Sequence, residues 1–398
     1  MKQFASWNIQ TSRIMLIQIE FENKPLLFSD PVEIIRCYRL NEIRDRFEKM
    51  ENALKNGFYL VGFLSYEAGY AFEESLMENK AYDFPLLQFG VFNFPAYRRL
   101  SQPTTRLRPA CPAGRQSRLR DQEAKTNISQ QAYSQNINTI RSYIEAGDTY
   151  QITYCLKFKF DYEGDPYSLY RELKKEQPVP YPAFIKTDEF SIVSLSPEMF
   201  IKKTGGEITT KPMKGTWMRG GTLWDDLWAK RRLHLDPKNR AENVMIADLL
   251  RNDLGKISEP GTVLTPKLFE VARYRTLCQM TSTVCGKIDP NIRLYDIFKA
   301  LHPSGSVTGA PKIRSMKIIK ELEKEERKIY TGAIGYITPQ RDMFFNIPIR
   351  TLLLPTPPQN PSIPYRGEMG VGGGIVWDST PQGEWEECHI KARFLISR

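Results

Sequence analysis

The sequence has few of the residues that build metal centres and disulfide scaffolds. Its 398 residues include six cysteines and three histidines, and no two cysteines form a CxxC pair. A zinc site is therefore not expected, and a chain of this length can bury a core without disulfide bonds. We expect the thiols to be reduced.

Long hydrophobic runs are also missing. No apolar run approaches the roughly 18 residues that a membrane-spanning helix needs, and the amino-terminal segment lacks the apolar stretch of a signal peptide. The sequence thus predicts a cytoplasmic protein without a membrane partner. Hydrophobic residues make up 41% of the chain and aromatic residues 12%, which is typical of a globular protein and not of a disordered one.

Acidic residues are outnumbered, with 46 Asp and Glu against 56 Lys and Arg. Such an excess fits nucleic acid, an anionic surface or an acidic substrate. Part of it lies in residues 101–125, which are arginine-rich, contain proline and have almost no periodic apolar positions. No basic motif interleaved with aromatics accompanies it, so a nucleic-acid-binding protein is only a distant alternative and no nucleic-acid partner is expected.

The hydrophobic pattern predicts three regions. Residues 1–100 mix strand-like runs with one helical stretch at 42–54, which predicts an α+β amino-terminal lobe. Residues 101–125 are predicted to be a linker or loop, and residues 126–398 a second, larger region. Because helices and strands do not alternate strictly, a doubly wound parallel sheet is not indicated and the predicted fold class is α+β.

Within these regions, periodicity and turn signals predict individual elements. Helices are expected at 129–146, 236–254 and 309–326 and from about Glu384 to the end. Strands are expected at 15–21, 58–66, 87–92, 150–160, 184–195, 199–210, 332–338, 343–351 and 374–377.

A carboxylate and an amine flank the predicted hairpin at 199–210. A three-residue turn at 204–206 would set Glu198 opposite Pro212 and diagonal to Lys214, whereas a two-residue turn would separate the pair. Acid-assisted nucleophilic substitution needs such groups: an acid to protonate a leaving hydroxyl and an amine to attack. A simple salt bridge is the alternative.

Four further segments carry candidate groups. Glu242 lies on the helix AENVMIADLLRNDLG, either on a solvated face or held for a cation. Glu387 and Lys391 in EWEECHIKA form an i,i+4 pair that is ordinary by itself. The glycines of GVGGGIV, residues 370–376, indicate either an anion-receiving backbone nest or a flexible turn. The segment HPSGSVTGAPK, residues 302–312, resembles an anion site at a helix amino terminus.

Together these segments resemble the chorismate-utilising enzyme family, which includes anthranilate, isochorismate and aminodeoxychorismate synthases. The blocks occur in the family's order from about residue 130 onwards: GDTYQITY, SLSPEMF, KPMKGT, AENVMIADLLRNDLG, PSGSVTGAPK, YTGAIGYI, IPIRTL, GGGIV and EWEECHIKA. GFLSYEAGYAF, residues 62–72, also resembles the component I lobe of the aminodeoxychorismate branch. The resemblance implies the anthranilate synthase component I-like fold, with large, mostly antiparallel sheets and helices packed outside.

The resemblance also implies a reaction. The aminodeoxychorismate branch has lysine in a PIKGT-like block where the other branches have alanine, and this chain reads PMKGT. Lys214 would then attack ring C2 of chorismate while Glu198 protonates the departing C4 hydroxyl, and ammonia would enter at C4 and expel the lysine. The water-adding branch has a lysine base where this chain has Gln151, which cannot act as a base. The nearest alternative is the anthranilate branch, in which amination is ortho and pyruvate is released.

The family's ligands map onto further positions. Glu242 and Glu387 match its Mg²⁺ ligands, a donor set that suits this ion. The residues expected at the substrate are Gln151, Gly215, Thr216, Tyr330, Arg350, Gly372, Gly373, Gly374 and Lys391. No glutaminase signature occurs in these residues, so the resemblance implies ammonia from a separate glutamine amidotransferase subunit, in a pathway to 4-aminobenzoate and folate.

Overall fold

The computed structural model describes residues 14–95, 118–119, 124–218, 223–273, 277–356 and 365–396. Most of the linker predicted at 101–125 lies outside these residues. The strands are β1 (Met15–Phe21), β2 (Lys24–Phe28), β3 (Glu33–Cys37), β4 (Tyr59–Leu64), β5 (Leu87–Phe92), β6 (Arg118–Leu119), β7 (Lys125–Thr126), β8 (Gln151–Glu163), β9 (Tyr181–Thr187), β10 (Phe190–Ser196), β11 (Met199–Thr204), β12 (Glu207–Lys211), β13 (Met213–Met218), β14 (Leu264–Arg273), β15 (Leu277–Lys287), β16 (Gly309–Ala310), β17 (Ala333–Ile337), β18 (Met343–Asn346), β19 (Thr351–Pro355) and β20 (Tyr365–Ile375).

The helices are distributed between the strands along the chain. They are α1 (Ile43–Lys55), α2 (Gln130–Glu145), α3 (Pro166–Glu176), α4 (Leu223–Leu235), α5 (Pro237–Gly255), α6 (Leu294–Leu301), α7 (Lys312–Leu322) and α8 (Pro381–Ile396). Local caps begin several of them, as where the Ser129 side chain accepts from the Ala132 N–H ahead of α2. No helix in the ranges given above is long and apolar enough to cross a membrane.

The described strands form two ten-stranded sheets. The first has the order β16-β8-β20-β19-β10-β9-β1-β2, with β6 and β7 also on β8; the second has the order β13-β15-β12-β11-β18-β17-β4-β5-β3, with β14 on β15. Neighbouring strands pair antiparallel, as in β8 with β20 and β4 with β17. The predicted α+β class with large antiparallel sheets is confirmed.

Aromatic side chains join the two sheets face to face. Phe21 of the first sheet lies 5.0 Å, between ring centroids, from Phe344 of the second. Phe63 and Phe190 form a second contact across the interface at 6.0 Å. The helices pack against the outer faces, for example α5 on β15 and α8 on β20. Burial of this apolar surface on both faces of each sheet is what holds the fold together.

Residues 14–95 contribute strands to both sheets. β1 pairs with β9 in the first sheet, and β4 pairs with β17 in the second. The division of the chain at 101–125 remains a prediction, but these pairings show that the amino-terminal strands are continuous with the sheets that carry the catalytic blocks. The five cysteines in the described ranges are all free thiols: Cys37, Cys155, Cys278, Cys285 and Cys388.

Three predicted elements differ from the structure. The single strand expected at 184–195 is the hairpin β9–β10, because the Thr187 hydroxyl accepts the N–H groups of Glu189 and Phe190 and fixes a turn there. The strand expected at 343–351 is divided into β18 and β19, which belong to different sheets. In the helix expected at 309–326, the first residues instead pair with β8 as β16, and α7 begins only after Pro311.

Candidate active site

The candidate site lies where the chain passes from one sheet to the other. Glu198 stands between β10 of the first sheet and β11 of the second, and Lys214 lies on β13 of the second. Gln151 begins β8, and Gly374 comes near the end of β20, both in the first sheet. Side chains from distant parts of the sequence therefore converge because both sheets contribute.

The β11–β12 hairpin that follows Glu198 does not have the three-residue turn that was expected to bring Glu198 near Lys214. The turn has two residues, Gly205 and Gly206, with Thr204 paired to Glu207. However, a bulge between Met199 and Lys202 inserts one extra residue into β11, so that Met199 pairs with Lys211. The next residue, Glu198, then comes level with Pro212. The bulge gives the register that a three-residue turn would have given.

Glu198 is a buried carboxyl group. Its side chain is 4% exposed, and its Oε1 atom accepts a hydrogen bond from the Ser306 hydroxyl at 2.7 Å. Burial raises the pKa of Glu198 to about 7, even though the Ser306 bond, the Lys214 charge and the Met213 N–H each lower it. A carboxylic acid with this pKa holds its proton near neutral pH and can donate it.

Lys214 has an amine without an ion pair. Burial lowers the pKa of Lys214, opposed by the charges of Glu242, Glu198 and Glu387. In the described ranges no carboxylate lies within ion-pair distance of its Nζ. A Cβ atom on Gly374 would lie 3.2 Å from that Nζ atom, which places the amine directly over β20. Lys211, its neighbour in sequence, instead pairs with Glu270 at 3.2 Å.

Gln151 shares this pocket. Its side chain is fully buried, and neither Nε2 nor Oε1 has a hydrogen-bond partner in the structure. A Cβ atom on Gly374 would come within 2.1 Å of its Nε2 atom, so only glycine fits between them. Buried amide atoms without partners are costly, and a polar ligand beside them would remove that cost.

The glycine-rich segment is an extended strand, so neither the predicted nest nor the flexible turn is correct. Gly372 and Gly374 pair with Cys155 and Thr153 of β8 over the full length of β20. On the other side, β19 pairs with β20 only at Met369 and Glu368 in the part of the chain that is described. From residue 370 onwards, the second edge of β20 therefore faces the site with backbone groups that no described strand covers.

Helix α8 presents charged side chains to this edge. A Cβ atom on Gly373 would lie 2.8 Å from Glu384 Oε2, 3.6 Å from Glu387 Oε1 and 3.8 Å from Lys391 Nζ. Lys391 forms the predicted i,i+4 pair with Glu387 at 2.6 Å and also donates to the Gly372 carbonyl at 2.7 Å. Both side chains are about half exposed, 44% for Lys391 and 52% for Glu387, so the ion pair itself is weak, but the second contact also ties Lys391 to β20.

The two carboxylates of α8 differ in their proton affinity. Burial raises the pKa of Glu384, and the Glu387 charge raises it further against a hydrogen bond from Ser379. Burial also acts to raise the pKa of Glu387, but its ion pair with Lys391 outweighs burial and the pKa is lowered. Repulsion between neighbouring carboxylates is typical of a site that accepts a cation.

The carboxylates of Glu242 and Glu387 are of the kind that binds a hard cation. Glu242 lies on α5, partly buried, and both its charge and that of Glu387 act on the Lys214 amine. Among the described residues no three Asp, Glu, His or Cys side chains come close enough to hold a metal ion by themselves. Mg²⁺ prefers carboxylate oxygens and retains waters, so two carboxylates would need substrate oxygens or water to complete its shell.

The remaining predicted residues lie around the same strands. The buried ring of Tyr330 packs against Gly370, where a Cβ atom would lie 2.2 Å from Cγ. Arg350 precedes β19 with a φ of 51°, a strained conformation that functional residues often adopt. Gly215 has a φ of 80°, and a Cβ there would meet Asn239 at 2.7 Å. Thr216 lies on β13 opposite Gln279, and its side chain is outside the described residues.

Two residues of the site were not assigned from the sequence. Ser306, the partner of Glu198, is 108 residues away from it, and no local pattern predicts that contact. Glu384 entered the sequence analysis only as the start of the last helix; its spacing of three residues from Glu387, which puts both on one helix face, was the available signal.

Comparison with known proteins shows the family to which the chain is similar. The model of the chorismate binding enzyme family matches residues 14–397. The chain is 37% identical over 274 residues to aminodeoxychorismate synthase component 1 of Klebsiella aerogenes, covering 68% of this chain and 58% of that protein. It is 35% identical over 275 residues to anthranilate synthase component 1 of Aquifex aeolicus, covering 68% and 53% respectively.

A solved structure extends the similarity to the whole chain. Anthranilate synthase component I from Streptococcus pneumoniae superposes with a TM-score of 0.73 at 26% identity, covering 100% of this chain and 96% of that one. In the sequence matches, by contrast, the chain spans somewhat over half the length of the curated relatives. The chain belongs to the chorismate binding enzyme family.

Proposed function

We propose that the chain is the component I of an aminodeoxychorismate synthase, which aminates chorismate at C4 to give 4-amino-4-deoxychorismate. The observation that carries the proposal is the Lys214 amine, whose pKa is lowered by burial and which lies over Gly374 without an ion pair. An unperturbed lysine, with a pKa of about 10.4, is almost fully charged at neutral pH and cannot attack.

The chemistry follows as two linked substitutions. The Lys214 nitrogen forms a bond to ring C2, the C1=C2 and C5=C6 double bonds shift to C1=C6 and C4=C5, and the C4–O bond breaks as Glu198 gives its proton to the departing hydroxyl, which leaves as water. Ammonia then bonds to C4 and returns a proton to Glu198, both double bonds shift back to C1=C2 and C5=C6, and the C2–N bond breaks, which regenerates the neutral lysine. Chorismate and ammonia thus become aminodeoxychorismate and water, and the enolpyruvyl group is retained.

Substrate binding uses the open edge of β20. Chorismate carries two carboxylates, and the uncovered peptide groups of Gly372 to Gly374, together with Arg350 and Tyr330, are the proposed contacts for the enolpyruvyl carboxylate. The unpartnered amide of Gln151 would hydrogen-bond the ligand on the Lys214 side. Gly215, Thr216 and Lys391 remain proposed contacts from family resemblance.

The ring carboxylate would be held from the other side. Glu242 and Glu387 are the proposed ligands of Mg²⁺, with Glu384 beside them at Gly373. When bound, Mg²⁺ would neutralise the ring carboxylate and fix the ring over Lys214. Lys391 would hold Glu387 and the Gly372 carbonyl in place through its two contacts.

Ammonia is proposed to come from a separate glutamine amidotransferase subunit, because the blocks found in these residues are those of component I. The chain with chorismate, Mg²⁺ and an ammonium salt should form aminodeoxychorismate, while glutamine should not replace ammonium. Hydrolysis of glutamine by the chain alone would contradict a separate glutaminase.

The second candidate is an anthranilate synthase component I, favoured by the relative of that name at 35% identity. The two candidates differ in their product. Aminodeoxychorismate has its amine para to the ring carboxylate and keeps the pyruvyl carbons, whereas anthranilate has an ortho amine and its formation releases pyruvate. Mass spectrometry of the product together with a pyruvate assay decides between them, and ortho product from the unmodified chain would reject the proposal.

A further inference from the structure

The acid at position 198 is held by a hydroxyl group that the reaction above does not use. Ser306 lies in the short turn Gly305–Val307 before β16, and its Oγ donates to Glu198 Oε1 at 2.7 Å. The two residues are 5% and 4% exposed. Because the bond is shielded from water, it is strong enough to orient the carboxyl group.

The turn that carries Ser306 is itself fixed. The buried Arg327 donates to the Val307 carbonyl at 2.8 Å and to the Thr153 carbonyl of β8 at 2.7 Å. Thr308 closes the turn by donating to the Ser304 carbonyl at 3.0 Å, and its own carbonyl accepts the Thr153 N–H at 2.7 Å. The backbone at Ser306 therefore cannot shift away from Glu198 without breaking several buried hydrogen bonds.

We propose that Ser306 is a positioning residue that confines the acidic proton of Glu198 to its Oε2 atom. In a neutral carboxyl group one oxygen carries the proton and the other accepts, so a donor fixed at Oε1 places the proton on Oε2. Ser304 Oγ lies 3.1 Å from Ser306 Oγ. Since the Ser306 proton is committed to Glu198, Ser304 is the donor of that pair and keeps the Ser306 hydroxyl pointed at the acid.

The groups around Glu198 determine how loss of the Ser306 hydrogen bond changes its pKa. On β13, Lys214 is the charged group that acts on Glu198, and the Met213 N–H acts from the same strand. The Ser306 bond favours the ionised carboxylate, so its loss raises the pKa of Glu198 further. Activity that needs the protonated acid would then persist to higher pH, although the proton would no longer be directed to one oxygen.

The inference rests on the proposed role of Glu198 as an acid, and Ser306→Ala tests it. We expect the alkaline limb of the kcat profile to move up by about one pH unit, as loss of one hydrogen bond to a charged group predicts. The maximum of kcat should fall about tenfold, the energetic equivalent of one such bond, while the KM for chorismate changes less than about twofold, because Ser306 has no proposed substrate contact.

Two other variants separate positioning from simple packing. Ser306→Thr keeps the hydroxyl and should return the alkaline limb to its original position. Thr308→Val removes a buried hydroxyl from the same turn that does not bond to Glu198, so the limb should stay in place. Ser306→Cys, nearly the same size with a weaker donor, should give a smaller shift in the same direction and serves if the alanine variant does not fold.

A readout without turnover makes the inference independent of the product. The carboxyl stretching band of Glu198, assigned by its loss in Glu198→Gln, can be titrated by infrared difference spectroscopy in the ligand-free protein. Its midpoint should rise in Ser306→Ala. An unchanged midpoint and limb, or an equal shift in Thr308→Val, would overturn the role of Ser306; ortho product, or none, would reject the proposed function and leave this titration decisive for Ser306.

Discussion

Two lysines of this chain are removed from water in different ways. Burial lowers the pKa of both Lys214 and Lys312. Lys312, at the start of α7, lies 2.5 Å from the buried Asp253 carboxylate and donates to the carbonyls of Ala300 and Leu301. Lys214 has no such ion pair in the ranges that the structure covers; it faces the bare backbone of Gly374.

The difference shows how the same side chain serves two purposes. The charge of Lys312 is satisfied by a carboxylate and two carbonyls, and it links α7 to α5 and α6. The amine of Lys214 has carboxylates in its surroundings but, among the described residues, none within ion-pair distance, so its neutral form is more accessible. Burial by itself therefore does not single out a candidate nucleophile, whereas burial without an ion pair favours the neutral amine that a nucleophile needs.

The largest expected effect is on chemistry. Lys214→Ala should lower formation of the para-aminated product by at least ~10⁴-fold, the scale seen when an enzymatic nucleophile is removed. Product formation is measured by mass spectrometry with ammonium as the nitrogen source. Para product at the original rate would contradict covalent catalysis by Lys214, and Lys211→Ala, which removes a lysine paired with Glu270 nearby, is the matched control.

Glu198→Gln should reduce kcat by about 10²- to 10³-fold, because glutamine keeps the shape but cannot donate the proton. The pKa of Glu198 is raised to about 7, so the protonated, active form is lost as the pH rises through that value. The original chain should lose activity on the alkaline side, and the residual rate of the variant should lack this limb. A limb that persists unchanged would assign it to another group.

Lys312→Met should affect stability more than Lys214→Met. Removing Lys312 leaves the Asp253 carboxylate buried with only Lys256, at 2.8 Å, as an ion-pair partner, which predicts a loss of about 3 kcal/mol in the free energy of unfolding. Removing Lys214 breaks no ion pair, so stability should stay within about 1 kcal/mol of the original. Denaturant unfolding of both variants measures the difference, and equal losses would remove the distinction.

The smallest expected effect concerns Mg²⁺. Glu387→Gln should raise the Mg²⁺ concentration needed for half-maximal activity by about 10- to 100-fold, the range typical of a change beside a metal site. Glu386→Gln is the matched control, because Glu386 is also exposed but bonds Gln382 instead of lying beside Gly373, and it should leave the Mg²⁺ requirement unchanged. Calorimetric titration with Mg²⁺ in the absence of substrate gives a second measure, and identical behaviour of the two variants would argue against Glu387 as a ligand.

Local pattern predicted much of the fold. Alternating apolar residues gave β1 and β5 with their observed limits, and Gly147 correctly marked the end of α2. Pattern failed where a side chain redirects the backbone, as Thr187 does between β9 and β10. The pattern also failed at β20. Its glycines are typical of a turn, but here they lie in an extended strand, where side chains of the candidate site and the neighbouring backbone leave no room for Cβ atoms.

The sequence by itself determined the class of fold, the ordered blocks and the residue types that the chemistry needs, because these depend on composition, periodicity and motif. Tertiary structure alone decided that a bulge in β11 sets Glu198 level with Pro212, that Ser306 reaches Glu198 from 108 residues away, and that no described carboxylate forms an ion pair with Lys214. Such contacts join strands and turns far apart in the chain, so no local pattern encodes them and only packing of the two sheets brings them together.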